Sequence, residues 1–170
     1  MSNAATGAPS QSTSFRHQWP IIVLWAASLV SIMGNTLTAI AVPWFVLETT
    51  GSASRTGITA AVTVIPLIIT MFLGGALVDR MSYKGLSVVS DLLSAVTVAA
   101  IPVFYFTSGL SFTGLLVLMF LGAILDGPGS TARVAMIPPL STMTGVPIER
   151  INANFGMIRA ASSLFAAPFA

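Results

Sequence analysis

Three stretches of this chain, residues 21–47, 56–78 and 92–125, carry no charged side chain at all. Such runs are decisive because a helix rises about 1.5 Å per residue and a bilayer presents about 30 Å of hydrocarbon, so roughly 20 apolar residues make one crossing. The first two stretches each supply one span. The third is too long for one helix and breaks best at Thr107, Ser108 and Gly109, where turn-forming residues gather. The expected helices therefore cover about 20–47, 54–79, 85–106 and 112–136. A connection holding Pro138, Pro139, Gly145 and Pro147 follows, and a fifth helix begins near Ile151. The fold class is all-α and membrane-embedded.

Composition points the same way. Hydrophobic residues make up 55% and charged residues 7%, against about a quarter charged in a soluble domain. With a mean hydropathy of +0.91, the chain has too little polar surface to cover itself in water. Its net charge of +2 comes from seven basic residues scattered over 170 positions. They form no patch and no aromatic interleaving, which argues against a nucleic-acid surface. The absence of cysteine excludes disulfides and thiolate metal sites, and the single histidine, His17, cannot form a cluster. No nucleophile–base set, metal-ligand spacing or phosphate-cradling loop is present, so neither enzyme chemistry nor a cofactor is expected.

The ends and the orientation follow from charge. Residues 1–14 are uncharged and rich in Ser, Thr, Ala, Gly and Pro, and residues 1–18 read as a disordered cytoplasmic tail. A signal peptide does not fit, because the basic residue arrives only at Arg16 and the apolar run is too long. Arg16, Arg80, Lys84, Arg133 and Arg150 fall on one side of the expected spans, against only Arg55, offset by Glu48, on the other. The positive-inside tendency puts the first group in the cytoplasm. The partial bundle then occupies 19–170, with the segment 151–170 too short beyond Arg159 to complete a fifth crossing. A severed first part of a longer chain is the expectation.

The residues between the second and third spans run Gly75-Ala76-Leu77-Val78-Asp79-Arg80-Met81-Ser82-Tyr83-Lys84. They resemble the loop between helices 2 and 3 of the major facilitator superfamily of secondary transporters, where the pattern is Gly-x-Leu-x-Asp-Arg-x-Gly-Arg-Lys/Arg. Gly75, Leu77, Asp79, Arg80 and Lys84 match in register, while Ser82 and Tyr83 depart from it. The resemblance implies that Gly75, Asp79, Arg80 and Lys84 act as a conformational latch. A second stretch is similar to the drug-exporting branch that includes macrolide and multidrug pumps. It holds Pro128, Arg133 and Pro138 near the end of the fourth span and Asn152 after Arg150. Ser163, Ala167 and Pro168 resemble the proton-antiporter signature Gly-x-x-x-Gly-Pro-x-x-Gly, with the next smallest residues replacing glycines.

What the resemblance implies is a major facilitator fold, working by alternating access and exporting small amphipathic drugs at the expense of protons. The implied partners are the lipid bilayer, the small-molecule substrate, protons and the remaining C-terminal part of the transporter, in the plasma or inner membrane. Rival expectations are a truncated membrane protein that does not transport and a transporter for a nutrient or siderophore.

Within the spans a few polar residues stand out. Asp126 lies about 21 Å into the fourth helix, counted from Phe112. Acids at such depth are costly and face a cavity or a partner. Asp126 therefore reads either as a proton or cation-substrate site or as the structural partner of a base such as Arg133. Asp91 is shallower and reads as a snorkelling group or a partner for an arginine. Asn35 stands where the exporter branch often has an acid. It reads as part of a substrate or proton site, though it cannot change charge near neutral pH, or as a bridge between helices. Trp19, Trp25 and Trp44 suit the interface belts at the ends of the first helix, and Trp44 could also line a drug site.

Overall fold

The computed structural model describes residues 15–78, 80 and 82–166. Among the described residues seven helices follow one another: α1 Phe15–Thr50, α2 Ala53–Ala61, α3 Val64–Val78, α4 Tyr83–Thr107, α5 Phe112–Ala135, α6 Ile137–Thr144 and α7 Ile148–Ala166. Four segments among them are long and apolar enough to cross a membrane: Gln18–Thr50, Ala53–Thr70, Tyr83–Thr107 and Phe112–Thr144. The protein is an all-α, multi-pass membrane protein.

Serines start three of these helices. The side chains of Ser52, Ser82 and Ser111 accept hydrogen bonds from the backbone N–H groups of Arg55, Gly85 and Gly114. Each satisfies a donor that the first turn would otherwise leave unpaired, an effect usually about 1 kcal/mol. Ser82, a departure from the family loop pattern, therefore has a local task as the cap of α4. Turns between helices use Gly51, Gly109 and Gly145, whose φ angles of 63°, 75° and 71° suit a residue without Cβ.

Three expectations about the elements change. The second span was expected as one helix over 54–79, but it breaks at Val62–Thr63. Pro66 has no N–H to give the Val62 carbonyl, and its ring crowds that turn. Residues 137–144 form α6 rather than a loop, because Pro138 and Pro139 fall in the first turn, where a missing N–H costs little. The Gly145 N–H donates to the Ser141 carbonyl and closes that helix. Finally, α1 starts at Phe15, so residues 15–18 of the expected tail are helical.

The helices pack through small residues. Along α5, Gly122 meets Thr97 and Gly129 meets Ser90 of α4. The two pairs are seven residues apart on both helices in opposite senses, which fixes an antiparallel register. On another face of α5, Gly127 lies against Thr70 of α3. In lipid, hydrophobicity does not draw helices together, so this close approach of backbones is what holds them. Apolar clusters occupy both ends of the bundle. Val42, Val46, Ile101, Leu115 and Met119 form one, and Ile21, Ile137, Val146 and Ile151 form the other. Outward-facing residues are apolar too, with Phe72 and Phe106 each 82% exposed, as a lipid-facing surface requires.

A Cβ added at Gly127 would overlap the Thr70 side chain, whereas one at Gly34 meets open space. Gly127→Ala is expected to destabilise by about 1–3 kcal/mol through overpacking. Gly34→Ala should instead stabilise by about 0.5–1 kcal/mol, because it removes a flexible residue from a helix. Melting temperatures of the two variants in detergent, moving in opposite directions, check this.

Candidate functional site

The polar residues of the spans recur at helical spacing. Ser31 and Asn35 are one turn apart on α1, as are Ser87 and Asp91 on α4, while Asp126 and Arg133 are two turns apart on α5. Each set therefore shares one face of its helix. The antiparallel register of α4 and α5 brings Arg133 level with Ser87 and Asp91, and α1 closes the group from the side.

Arg133 is the centre. Its Nη1 donates to both carboxylate oxygens of Asp91 at 2.6 and 2.8 Å, and reaches Ser87 Oγ at 3.4 Å. Its Nη2 donates to Ser31 Oγ at 3.1 Å and lies 3.9 Å from Asp126 Oδ1. The Ser31 hydroxyl is within 3.2 Å of Asp91 Oδ1 and 3.5 Å of Asp126 Oδ1, so one hydrogen serves two acceptors. Asn35 Nδ2 donates to Asp126 Oδ2 at 2.9 Å. The arginine side chain is only 5% exposed, against 28% for Asp91 and 19% for Asp126.

One guanidinium thus faces two carboxylates, and the division is unequal. Asp91 holds the close ion pair. Asp126 has the amide of Asn35, a long contact to Ser31 and a distant nitrogen of Arg133. With all three ionised, the group carries one surplus negative charge among membrane-spanning helices. A surplus charge at that depth calls for a proton, a cation or water.

Two cavities meet at this group. One, of about 740 Å³, lies between α1 and α4 and is lined mainly by Val, Ala and Gly. The other, of about 240 Å³, lies among α1, α3, α4 and α5 and adds the hydroxyls of Thr63, Thr70 and Ser130 to apolar residues such as Leu67, Ile101 and Met119. Asn35, Thr38, Ser94, Val98 and Asp126 line both.

The structure brings Asn35, Asp126 and Arg133 together. Arg133, counted with the basic residues of the cytoplasmic side and also offered as a partner for Asp126, is buried inside α5, because two carboxylates and two serines solvate it there. Asp91 is paired with that buried arginine rather than with one outside the spans. Pro128 is inside α5 and Pro138 in the first turn of α6, both apart from the network. Asn152 is exposed on α7, and Ser163 is exposed with its hydroxyl donating to the Arg159 carbonyl. Arg80 and Lys84 are exposed at the α3–α4 turn, and Gly75 lies within α3. Asp79, Ala167 and Pro168 lie outside the described residues. Trp44 is exposed and lines neither cavity. Sequence reasoning passed over Ser31, the residue that touches all three ionisable groups. Its signal was the one-turn spacing from Asn35.

Four spans around a charged interior define a multi-pass membrane protein whose interior can hold a polar or ionic species. The sequence is 36% identical over 139 residues to multidrug efflux pump Tap of Mycolicibacterium fortuitum, covering 80% of this chain and 34% of that protein. It is 33% identical over 142 residues to multidrug efflux pumps Tap of Mycobacterium tuberculosis H37Rv and of Mycobacterium bovis BCG, covering 82% of this chain and 34% of each. These relatives bear out the resemblance to drug exporters. The chain spans about a third of the length of the curated relatives it matches. No family model matches the sequence, and no solved structure matches it.

If Arg133 is what makes two carboxylates tolerable here, its loss should be costly alone and cheaper with a compensating change. Arg133→Leu is expected to destabilise by about 3–5 kcal/mol, the usual cost of orphaning a buried charge partner. The double variant Asp91→Leu with Arg133→Leu should recover most of that. Thermal unfolding of both in detergent, read as a double-mutant cycle, provides the measurement.

Proposed function

We propose that this chain forms part of a proton-coupled exporter of small amphipathic drugs, and that Asp126 is the group whose charge is exchanged between proton and cationic substrate. The observation that carries the reading is the surplus carboxylate. Asp91 is held by Arg133 at 2.6 Å, while Asp126 at 3.9 Å from the same guanidinium is left to an amide and a hydroxyl. Homologues named as multidrug efflux pumps supply the class of activity.

In this reading the apolar cavity of about 740 Å³ receives the hydrophobic body of the drug, a volume within the usual range of ligand pockets, about 300–1,000 Å³. A cationic end reaches Asp126, and protonation of that carboxyl releases it. Asn35 positions the Asp126 carboxylate and cannot titrate itself. The chain is placed in the cell's inner or plasma membrane, its N-terminus and the α3–α4 turn in the cytoplasm. Gly75, Asp79, Arg80 and Lys84 act at that turn on the balance between the two access states, away from the substrate.

Two experiments test these statements. Asp126→Asn in the full-length protein should reduce proton-driven drug export at least tenfold while leaving the protein folded. Export at the wild-type rate in proteoliposomes would remove Asp126 from the coupling step. Cysteines placed at the exposed Ser82 and Ser108 should be labelled from opposite sides of the membrane by an impermeant thiol reagent, with Ser82 reached only from the cytoplasm.

A further inference from the structure

The smaller cavity runs from the break between α2 and α3 to Asp126. Thr63, in the break, and Thr70, two turns further on, both line it. Non-helical backbone at membrane depth persists only inside protein or against water, and the Val62 carbonyl has lost its helical partner to Pro66. Three of the hydroxyls along the cavity have already committed their hydrogens. Thr63 donates to the Ala60 carbonyl at 3.1 Å, Thr70 to Leu67 at 3.0 Å and Ser130 to Gly127 at 2.7 Å. Their oxygens retain lone pairs, so Thr63, Thr70 and Ser130 set acceptors into a wall that otherwise holds residues such as Leu67, Ile101 and Met119. Acceptors in such a wall are solvated by small donors that carry no apolar body. About 240 Å³ has room for up to about eight waters at about 30 Å³ each. The larger cavity shares Asn35, Thr38, Ser94, Val98 and Asp126 with the smaller one, and the rest of its wall is mostly Ala and Val, which favours a more apolar occupant.

We infer that the smaller cavity is a water-filled proton path to Asp126, entered from the α2–α3 break and separate from the apolar cavity that takes the substrate. The inference rests on the reading of Asp126 as the exchanging group. In each transfer the nearest water gives a proton to an Asp126 carboxylate oxygen, forming one O–H bond. That water is reprotonated from the water behind it, so only a proton moves along the file. Because Asn35 and Asp126 line both cavities, proton and substrate meet at one carboxylate from two sides. Neither has to leave by the route the other uses.

The sequence contains no cysteine, so single cysteines report cleanly in a full-length protein kept otherwise cysteine-free. Thr70→Cys and Thr63→Cys are treated with the small cationic reagent 2-aminoethyl methanethiosulfonate, which needs water to reach a thiolate. Phe72→Cys, two residues from Thr70 but on the lipid-facing surface, is the dry control. Both cavity positions should react at least ten times faster than Phe72→Cys. Adding Ala123→Leu, which fills the same cavity, should slow them at least tenfold. It should also reduce proton-driven export tenfold while leaving equilibrium drug binding within twofold. Reaction at Thr63 and Thr70 no faster than at Phe72, in protein that elutes as a folded species, overturns the path. So does export unchanged by Ala123→Leu. A failed path with Asp126→Asn still inactive would leave the carboxylate's role standing, whereas a wet cavity with active Asp126→Asn would remove the role and not the water.

Discussion

The rest of the bundle depends on one guanidinium placed between two carboxylates where lipid surrounds the protein. An isolated carboxylate or arginine at membrane depth is costly, and each becomes tolerable only when the other is in place. That mutual dependence sets the geometry of three helices. α4 and α5 must run antiparallel in one register for Arg133 to reach Asp91, and α1 must lie close enough for Ser31 to touch both acids. The glycines at 122, 127 and 129 serve this requirement. They let α5 approach Thr97, Thr70 and Ser90 closely enough for short side chains to complete the network.

The network is deliberately unequal in its effect. The close pair with Asp91 anchors the arginine, and Asp126 keeps only partial compensation from Asn35 and Ser31. That carboxyl stands in the walls of both cavities. The two cavities differ in lining for reasons already in the helices. Beyond the residues they share, the larger one is bounded mostly by Ala and Val of α1 and α4, while the smaller one adds Thr70 of α3 and Ser130 of α5 among bulkier apolar side chains. Pro66 adds to the difference by opening the backbone at the smaller cavity's far end.

Breaks in the helices are as informative as the helices. Pro66 falls in the first turn of α3, just after the break in the second span, and Pro138 and Pro139 fall likewise in the first turn of α6, just after α5 ends. In both places the missing N–H sits where a new helix starts, and the preceding turn is where a carbonyl loses its helical partner. The three capping serines show a similar economy, each ending a turn and starting the next helix with one side chain.

The sequence by itself determined that this is a helical membrane protein with four crossings, because uncharged runs near 20 residues long admit no other solution in either water or lipid. It also singled out Asn35 inside one such run and Asp91 and Asp126 at the two ends of another, since ionisable groups within membrane-spanning helices are few and expensive. What it could not decide was pairing. Arg133 falls inside the expected fourth helix and was one candidate partner for Asp126, yet by charge it also counted with the basic residues of the cytoplasmic side, and Asp91 was not tied to it. Only the packing of α5 on α4 shows it turned inward, because the decisive contacts join residues 42 and 102 positions apart. Ser31 was silent for the same reason: a serine in an apolar helix is ordinary until three charged groups converge on it. Spacing along one helix is written in the chain, but the meeting of three helix faces depends on how closely small residues let the backbones approach.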